Sequence, residues 1–240
     1  MMIFPAVDLI GGKAVRLKQG DYGKMTVFGD DPVAAAKKFE QQGAEFLHVV
    51  DLDGAKDGGR PNEEVIKRII RETSLKVEVG GGVRDEESVK TYLGAGAYRV
   101  ILGTVAAENE KFTRETCEKY GERIVVGADA RDGVIAVRGW LGTSGEDLFD
   151  FVKRMASLGI GTVIVTDISR DGEKKGANLD LYRKMAGELS VGIVASGGIA
   201  SVGDIKALAG AGVRGAILGR ALYAGEITLA DALRAAEVAK

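Results

Sequence analysis

The chain has 240 residues, 45% of them hydrophobic and 28% charged, which fits a globular protein able to bury a substantial core as one large domain. A net charge of −2, with mixed signs and no run of like charge, excludes a dedicated nucleic-acid surface. No apolar run approaches membrane-spanning length and the start, MMIFPAVDL, lacks the basic and long apolar segments of a signal peptide, so no membrane partner and a cytoplasmic location are expected.

In chain order, IFPAVDL (3 to 9) is a short apolar run ending in a carboxylate and is predicted as the first strand. A long glycine-punctuated connection follows, with an alternating stretch from Lys13 to Lys18 that suits a small hairpin; connections this long tend to be functional lids. Asp31-Pro32 places an N-cap residue before a first-turn proline, AAAKKFEQQ continues at helical spacing, and Gly43 ends the helix. FLHVVDLDGA (46 to 55) is predicted as the second strand and residues 62 to 71 as the second helix. The stretch 77 to 104 reads strand, glycine turn, helix, strand, glycine turn. In the second half, RIVVGAD (123 to 129) is a strand, a loop runs through Trp140, and a Thr143 to Glu146 capping box predicts the next helix start. TVIVTDISRDG (162 to 172) contains the sixth strand, a helix follows Asn178, and Ser201/Asp204 and Thr228/Asp231 mark further helix starts. Cys117, the only cysteine, has no His or Cys neighbour in sequence and is expected to be an inert helix thiol.

The stretch 77 to 104 recurs 116 positions later, without a gap, as 193 to 220. The copies share Gly81/Gly197, Gly82/Gly198 and Ile-Leu-Gly at 101 to 103 and 217 to 219, and the same offset relates Asp51 to Asp167. Eight strands alternating with eight helices imply an α/β fold with a parallel sheet. An open doubly wound sheet is the structural alternative, but four βα units per half close naturally into a (βα)8 TIM barrel. The expected organisation is therefore one domain spanning 1–240, with half-barrels of approximately 1–121 and 122–240.

In such barrels the strand C-termini carry the chemistry. Four strands end in aspartate: Asp8, Asp51, Asp129 and Asp167. Asp51 and Asp167 are equally readable as loop or helix caps. Asp8 and Asp129 lie on strands that face each other across the barrel, and each precedes a long loop, so the pair suits acid and base work on a substrate held between them. Gly81, Gly82, Gly103 and Thr104 on one side, and Gly197, Gly198, Gly219 and Arg220 on the other, are expected to expose backbone N–H groups at helix starts, which would make two opposed phosphate sites. The competing reading is that these glycines only permit tight turns. Thr166 could bond the reacting sugar or orient Asp129, or simply fill its strand. Trp140, in a glycine-flanked loop, suits either stacking on a heteroaromatic ligand or anchoring the loop. His48 sits within an apolar strand and reads as a hydrogen-bonded core histidine; no His/Cys cluster suggests a metal and no GxGxxG a dinucleotide.

Together PAVDL (5 to 9), GGKAVRL (11 to 17), HVVDLDGA (48 to 55), VGGGVRD (79 to 85), GADARDGVIAVRGW (127 to 140), VTDISRDG (165 to 172), ASGGI (195 to 199) and LGRALY (218 to 223) resemble the histidine-biosynthesis isomerases acting on phosphoribosylformimino-5-aminoimidazole carboxamide ribotide. The resemblance covers essentially the whole chain. It implies a metal- and cofactor-free Amadori rearrangement of a bisphosphorylated aminoaldose to an aminoketose; separately, a monomer is expected. It further implies that Asp129 is the general acid, Asp8 the general base, Thr166 a hydrogen-bonding assistant and Trp140 a ring stacked near the imidazole carboxamide. Relatives that also isomerise phosphoribosylanthranilate, the imidazole glycerol phosphate synthase cyclase and a non-catalytic phosphosugar-binding barrel are the alternative functions. In the sixth loop, Glu173 and Ala177 stand where Thr and Pro are commoner in that pattern.

Overall fold

Along the first strand, side chains alternate between two apolar environments: Ile3, Val7 and Leu9 pack among the surrounding helices, whereas Phe4 and Ala6 join Ile101, Val125, Ile164, Val194 and Ile217 in a separate cluster on the barrel axis. A strand buried on both faces reads as a continuous apolar run, as this one does. The computed structural model describes residues 1–173 and 176–237; the sixth-loop positions Lys174 and Lys175 lie outside the described residues.

The strands are β1 (Met2–Ile10), β2 (Lys13–Lys18), β3 (Asp21–Gly29), β4 (Phe46–Asp51), β5 (Lys76–Gly80), β6 (Arg99–Leu102), β7 (Ile124–Arg131), β8 (Val134–Val137), β9 (Gly142–Asp147), β10 (Thr162–Asp167), β11 (Gly192–Ser196) and β12 (Gly215–Leu218). Eight of them, β1, β4, β5, β6, β7, β10, β11 and β12, form a parallel ring in that order. The pairings of β12 with β1 and of β7 with β10 close it, giving a (βα)8 barrel with helices between the strands.

The four remaining strands extend two loops of the C-terminal face. β2 pairs antiparallel with the end of β1 and then with β3, so the alternating stretch from Lys13 does form a hairpin. β8 pairs with the end of β7 and then with β9, making a second antiparallel flap after the fifth barrel strand.

Three local expectations are corrected. The second barrel strand stops at Asp51, because that side chain accepts from Gly54 N and caps a short helix, Leu52–Asp57, where residues 52 to 55 had read as strand. Thr143 and Glu146 lie in β9 and do not form a capping box; the helix is Leu148–Ser157, capped by Asp147, which accepts from Phe149 N and Asp150 N. Gly81-Gly82 and Gly197-Gly198 are not at helix starts, since the following helices begin at Glu86 and Val202, capped by Asp85 and Ser201. The Ser201/Asp204 capping box, the Thr228/Asp231 start and the Asp31-Pro32 start form as expected.

Candidate active site

Side chains on alternate positions of a barrel strand point to the axis, and this parity carries Asp8 on β1, Asp129 on β7 and Thr166 on β10 into one cavity at the C-terminal ends of the strands. The cavity measures about 1330 Å³ with its open mouth included. Thr166 is the register partner of Asp129 across β7 and β10, which places the two side by side. Trp140 reaches in from the β8–β9 flap and donates from Nε1 to Asp129 Oδ2 at 2.8 Å. It is neither fully exposed nor a simple packing anchor: its ring lies against Gly20 of the first flap, where an added Cβ would stand 2.4 Å from Cε3.

Two charged side chains that line the cavity escaped the sequence reading. Arg16 on β2 turns back over the cavity and donates from Nη1 to Asp8 Oδ2 at 2.7 Å and from Nη2 to Asp171 Oδ1 at 3.0 Å. Its closeness to Gly219 is severe, with a Cβ there predicted 2.6 Å from the guanidinium carbon. The guanidinium, held between two carboxylates, is raised above its ordinary pKa despite burial. Asp171 also lines the cavity. Burial pushes its carboxyl above the usual carboxylate range; Asp8 and Asp129 push the same way, and Arg16 opposes them. The available signal was the Asp four residues beyond Asp167 in DISRDG, but nothing in the sequence brings it to Arg16, 155 positions away.

Asp51 and Asp167 are structural. Asp51 is fully buried and accepts from Gly54 N, Asn62 N and Asn62 Nδ2 at 2.9, 3.0 and 2.7 Å. Asp167 accepts from Ser169 N, Ser169 Oγ and Asn178 Nδ2 at 3.1, 2.6 and 2.7 Å. Asn62 and Asn178 are themselves 116 positions apart, so both halves use the same Asp–Asn clasp to hold the loop beyond the strand.

The glycine turns divide into two kinds. Gly81 and Gly197 have φ of +90° and +91°, and a Cβ would fall 2.1 Å from Asp51 O and 2.5 Å from Asp167 O, so these turns must be glycine for backbone packing alone. Gly103 and Gly219 instead precede very short helices, Thr104–Glu108 and Arg220–Tyr223, whose first N–H groups no side chain caps. Gly81, Gly82, Gly103 and Thr104 line the main cavity, and Gly197, Gly198, Gly219 and Arg220 line a smaller cleft beside it that also touches Arg16 and Asp171. Thr104 Oγ1 accepts from Arg138 N at 2.8 Å, tying the β8–β9 flap to the first of these regions.

The deeper wall holds His48, whose Nδ1 is 2.5 Å from Glu78 Oε1. It is hydrogen-bonded as the sequence suggested, yet it faces the cavity. Among the described residues no group of three or more His, Cys, Asp or Glu side chains is arranged to hold a metal ion, and no helix is long and apolar enough to cross a membrane. Cys117 is buried in its helix, and burial pushes its thiol up.

The family model described as "Histidine biosynthesis protein" matches residues 2–228. The chain belongs to the histidine biosynthesis protein family. Similar members of that family include proteins named 1-(5-phosphoribosyl)-5-((5-phosphoribosylamino)methylideneamino)imidazole-4-carboxamide isomerase. That of Ruminiclostridium cellulolyticum is 47% identical over 98% of this chain and 100% of its own length. That of Synechocystis is 48% identical over 98% and 93%, and that of Listeria monocytogenes 46% identical over the full length of both. Within this histidine biosynthesis fold, Asp8 and Asp129 stand two residues before the ends of β1 and β7, on opposite sides of the ring.

Proposed function

We propose that the chain catalyses the Amadori rearrangement of phosphoribosylformimino-5-aminoimidazole carboxamide ribotide, converting its aminoaldose end to the aminoketose. The observation that carries this reading is the pair of strand-end carboxylates opposed across one cavity flanked by two uncapped glycine turns. A bisphosphorylated ligand would set one phosphate by Gly81, Gly82, Gly103 and Thr104, and the other by Gly197, Gly198, Gly219 and Arg220, leaving the ribosyl carbon framework between Asp8 and Asp129.

Asp129, protonated, gives its proton to the furanose ring oxygen as the bond from that oxygen to C1′ breaks, leaving a Schiff base at C1′. Trp140 occupies Oδ2, so the proton belongs on Oδ1. Asp8 removes the proton from C2′; the electron pair flows to nitrogen and gives an enolamine. Protonation at C1′ and loss of the hydroxyl proton at C2′ then give the ketose, and all atoms are conserved. Arg16 donates to Asp8 Oδ2 and fixes the direction of that carboxylate, leaving Oδ1 to meet the C2′ proton. Thr166, the register partner of Asp129, would bond the sugar beside it, and the Trp140 ring would cover the imidazole carboxamide.

A second assignment of the acid rests on Asp171, the carboxyl whose surroundings favour retention of a proton. The two assignments differ in the basic limb of the pH–rate profile: Asp171→Asn leaves that limb in place if Asp129 is the acid, and removes it if Asp171 is.

The test of the function is incubation of the purified chain with the aminoaldose, without ammonia or a glutaminase. Formation of the aminoketose supports the isomerase, whereas an unchanged aminoaldose together with consumption of separately supplied aminoketose only on addition of ammonia would make the chain a cyclase. Parallel incubation with phosphoribosylanthranilate decides between one substrate and two, and binding of the bisphosphate with no turnover of any substrate would leave only a phosphosugar-binding barrel.

A further inference from the structure

Inside the barrel, below the carboxylates, lies a buried ion pair that the proposed chemistry does not use. His48, Glu78 and Arg99 are axis-facing neighbours on β4, β5 and β6, paired in register His48 to Glu78 and Glu78 to Arg99. Glu78 is fully buried; its Oε2 is 2.7 Å from Arg99 Nε and 2.6 Å from Nη2, and its Oε1 meets His48 Nδ1. The Arg99 guanidinium also lies over the Phe4 ring, 5.0 Å from its centre. Of the three side chains only His48 lines the cavity.

Burying an ion pair costs desolvation that its attraction does not reliably return, and apolar side chains of similar volume commonly do as well or better. This barrel contains that apolar solution. The positions 116 residues on are Ile164, Val194 and Gly215, and Ile164 and Val194 belong to the axial apolar cluster. Packing therefore does not demand charge in this layer, and the polar version occurs only where a histidine faces the cavity.

A carboxylate forked by an arginine can only accept hydrogen bonds, so Glu78 fixes the proton of neutral His48 on Nδ1 and leaves Nε2 as a bare acceptor. Among the described residues no hydrogen bond to Nε2 is formed. We propose that Arg99 and Glu78 are positioning residues that lock the tautomer and ring plane of His48, so that Nε2 accepts a hydrogen bond from a sugar hydroxyl of the substrate on the cavity floor. This rests on the isomerase reading for the identity of the ligand. The locking itself is a property of the unliganded protein and stands or falls separately.

His48 is the only histidine in the chain, so 15N-histidine labelling gives one unambiguous pair of ring nitrogens. At a pH where the ring is neutral, the free protein is expected to show the Nδ1–H tautomer, and Nε2 is expected to shift on saturation with the aminoketose. The variant Glu78→Val/Arg99→Met removes both charges together, leaving neither orphaned. It is expected to fold, to lose the single-tautomer signature and to lower kcat/KM about tenfold, the scale of one neutral hydrogen bond. His48→Leu is expected to cost about tenfold in the parent and much less in that double variant. An Nε2–H tautomer in the free parent protein, or an Nε2 signal unmoved by saturating aminoketose, would overturn the proposal whether or not the double variant folds. Unchanged kcat/KM in a folded double variant would do the same. A parent protein that never converts the aminoaldose defeats the isomerase reading instead, while the tautomer comparison still tests the locking.

Discussion

Arg16 ties together two carboxylates that are 163 positions apart in the chain. Its guanidinium bridges Asp8 and Asp171, so two carboxylates share one buried positive charge while a third, Asp129, is held by Trp140. Under the proposed mechanism, Asp8→Asn and Asp129→Asn each lower kcat by about 10²–10⁴-fold, the usual yield of a positioned acid or base, with bisphosphate binding retained in calorimetry. Asp171 gives a pH prediction. Its folded-state pKa is raised, so between the ordinary carboxylate value, about 4, and the folded value the native protein holds a proton that the unfolded chain has released. The stability it contributes is full below that window and declines as pH rises through it. In thermal melts, Asp171→Asn should therefore gain relative to the parent as pH rises from about 4 toward neutrality; a gap independent of pH counts against the assignment. The sequence made Asp8 and Asp129 visible because each closes an apolar run, although β1 and β7 continue two residues further, to Ile10 and Arg131, to pair with the flaps instead of ending ahead of a loop. It gave Asp51 and Asp167 the same appearance, since their difference lies in Asn62 and Asn178, distant donors that occupy both carboxylates.

The glycine turns proposed as substrate sites are built by two different devices, and substitution separates them. Gly81→Ala puts a Cβ into the Asp51 carbonyl in a left-handed conformation and should destabilise the fold by about 3 kcal/mol or more in denaturant titration. Gly103→Ala meets nothing within 4 Å, so its melting temperature should stay near that of the parent. If the uncapped turn after β6 receives a phosphate, the same variant should raise KM for the bisphosphate by about tenfold or more, because the methyl group would occupy ligand space. A normal KM would return that turn to a purely conformational role. The first flap was legible in the alternation from Lys13 to Lys18. The second was not: β8 is only four residues long, and its partner β9 contains Thr143 and Glu146, whose spacing imitates a capping box. What decides there is the antiparallel pairing with β7 and β9 and the stronger cap at Asp147, both beyond the reach of local spacing.

At the scale of the molecule, closure was legible because the repeat is exact in offset over the glycine turns, and four βα units per half leave no free strand edge when two halves meet. What the repeat conceals is asymmetry. The offset maps His48, Glu78 and Arg99 onto Ile164, Val194 and Gly215, so one half supplies the buried polar layer and the other the apolar layer. Asp8 and Asp129 are 121 apart rather than 116, the five-residue difference falling in the first flap that delivers Arg16. The barrel supplies a symmetric frame, and the unequal flaps and floor give its two ends different chemistry. The central claim, that this frame isomerises the aminoaldose, is tested most directly with substrate carrying 13C at C2′ of the ribosyl ring undergoing rearrangement. On mixing with the purified chain in the absence of ammonia, that carbon's signal should move from the carbinol to the ketone region, and in Asp8→Asn it should remain almost entirely carbinol over the same interval. A carbinol signal that persists with the parent chain, or equal conversion by Asp8→Asn, would contradict the account.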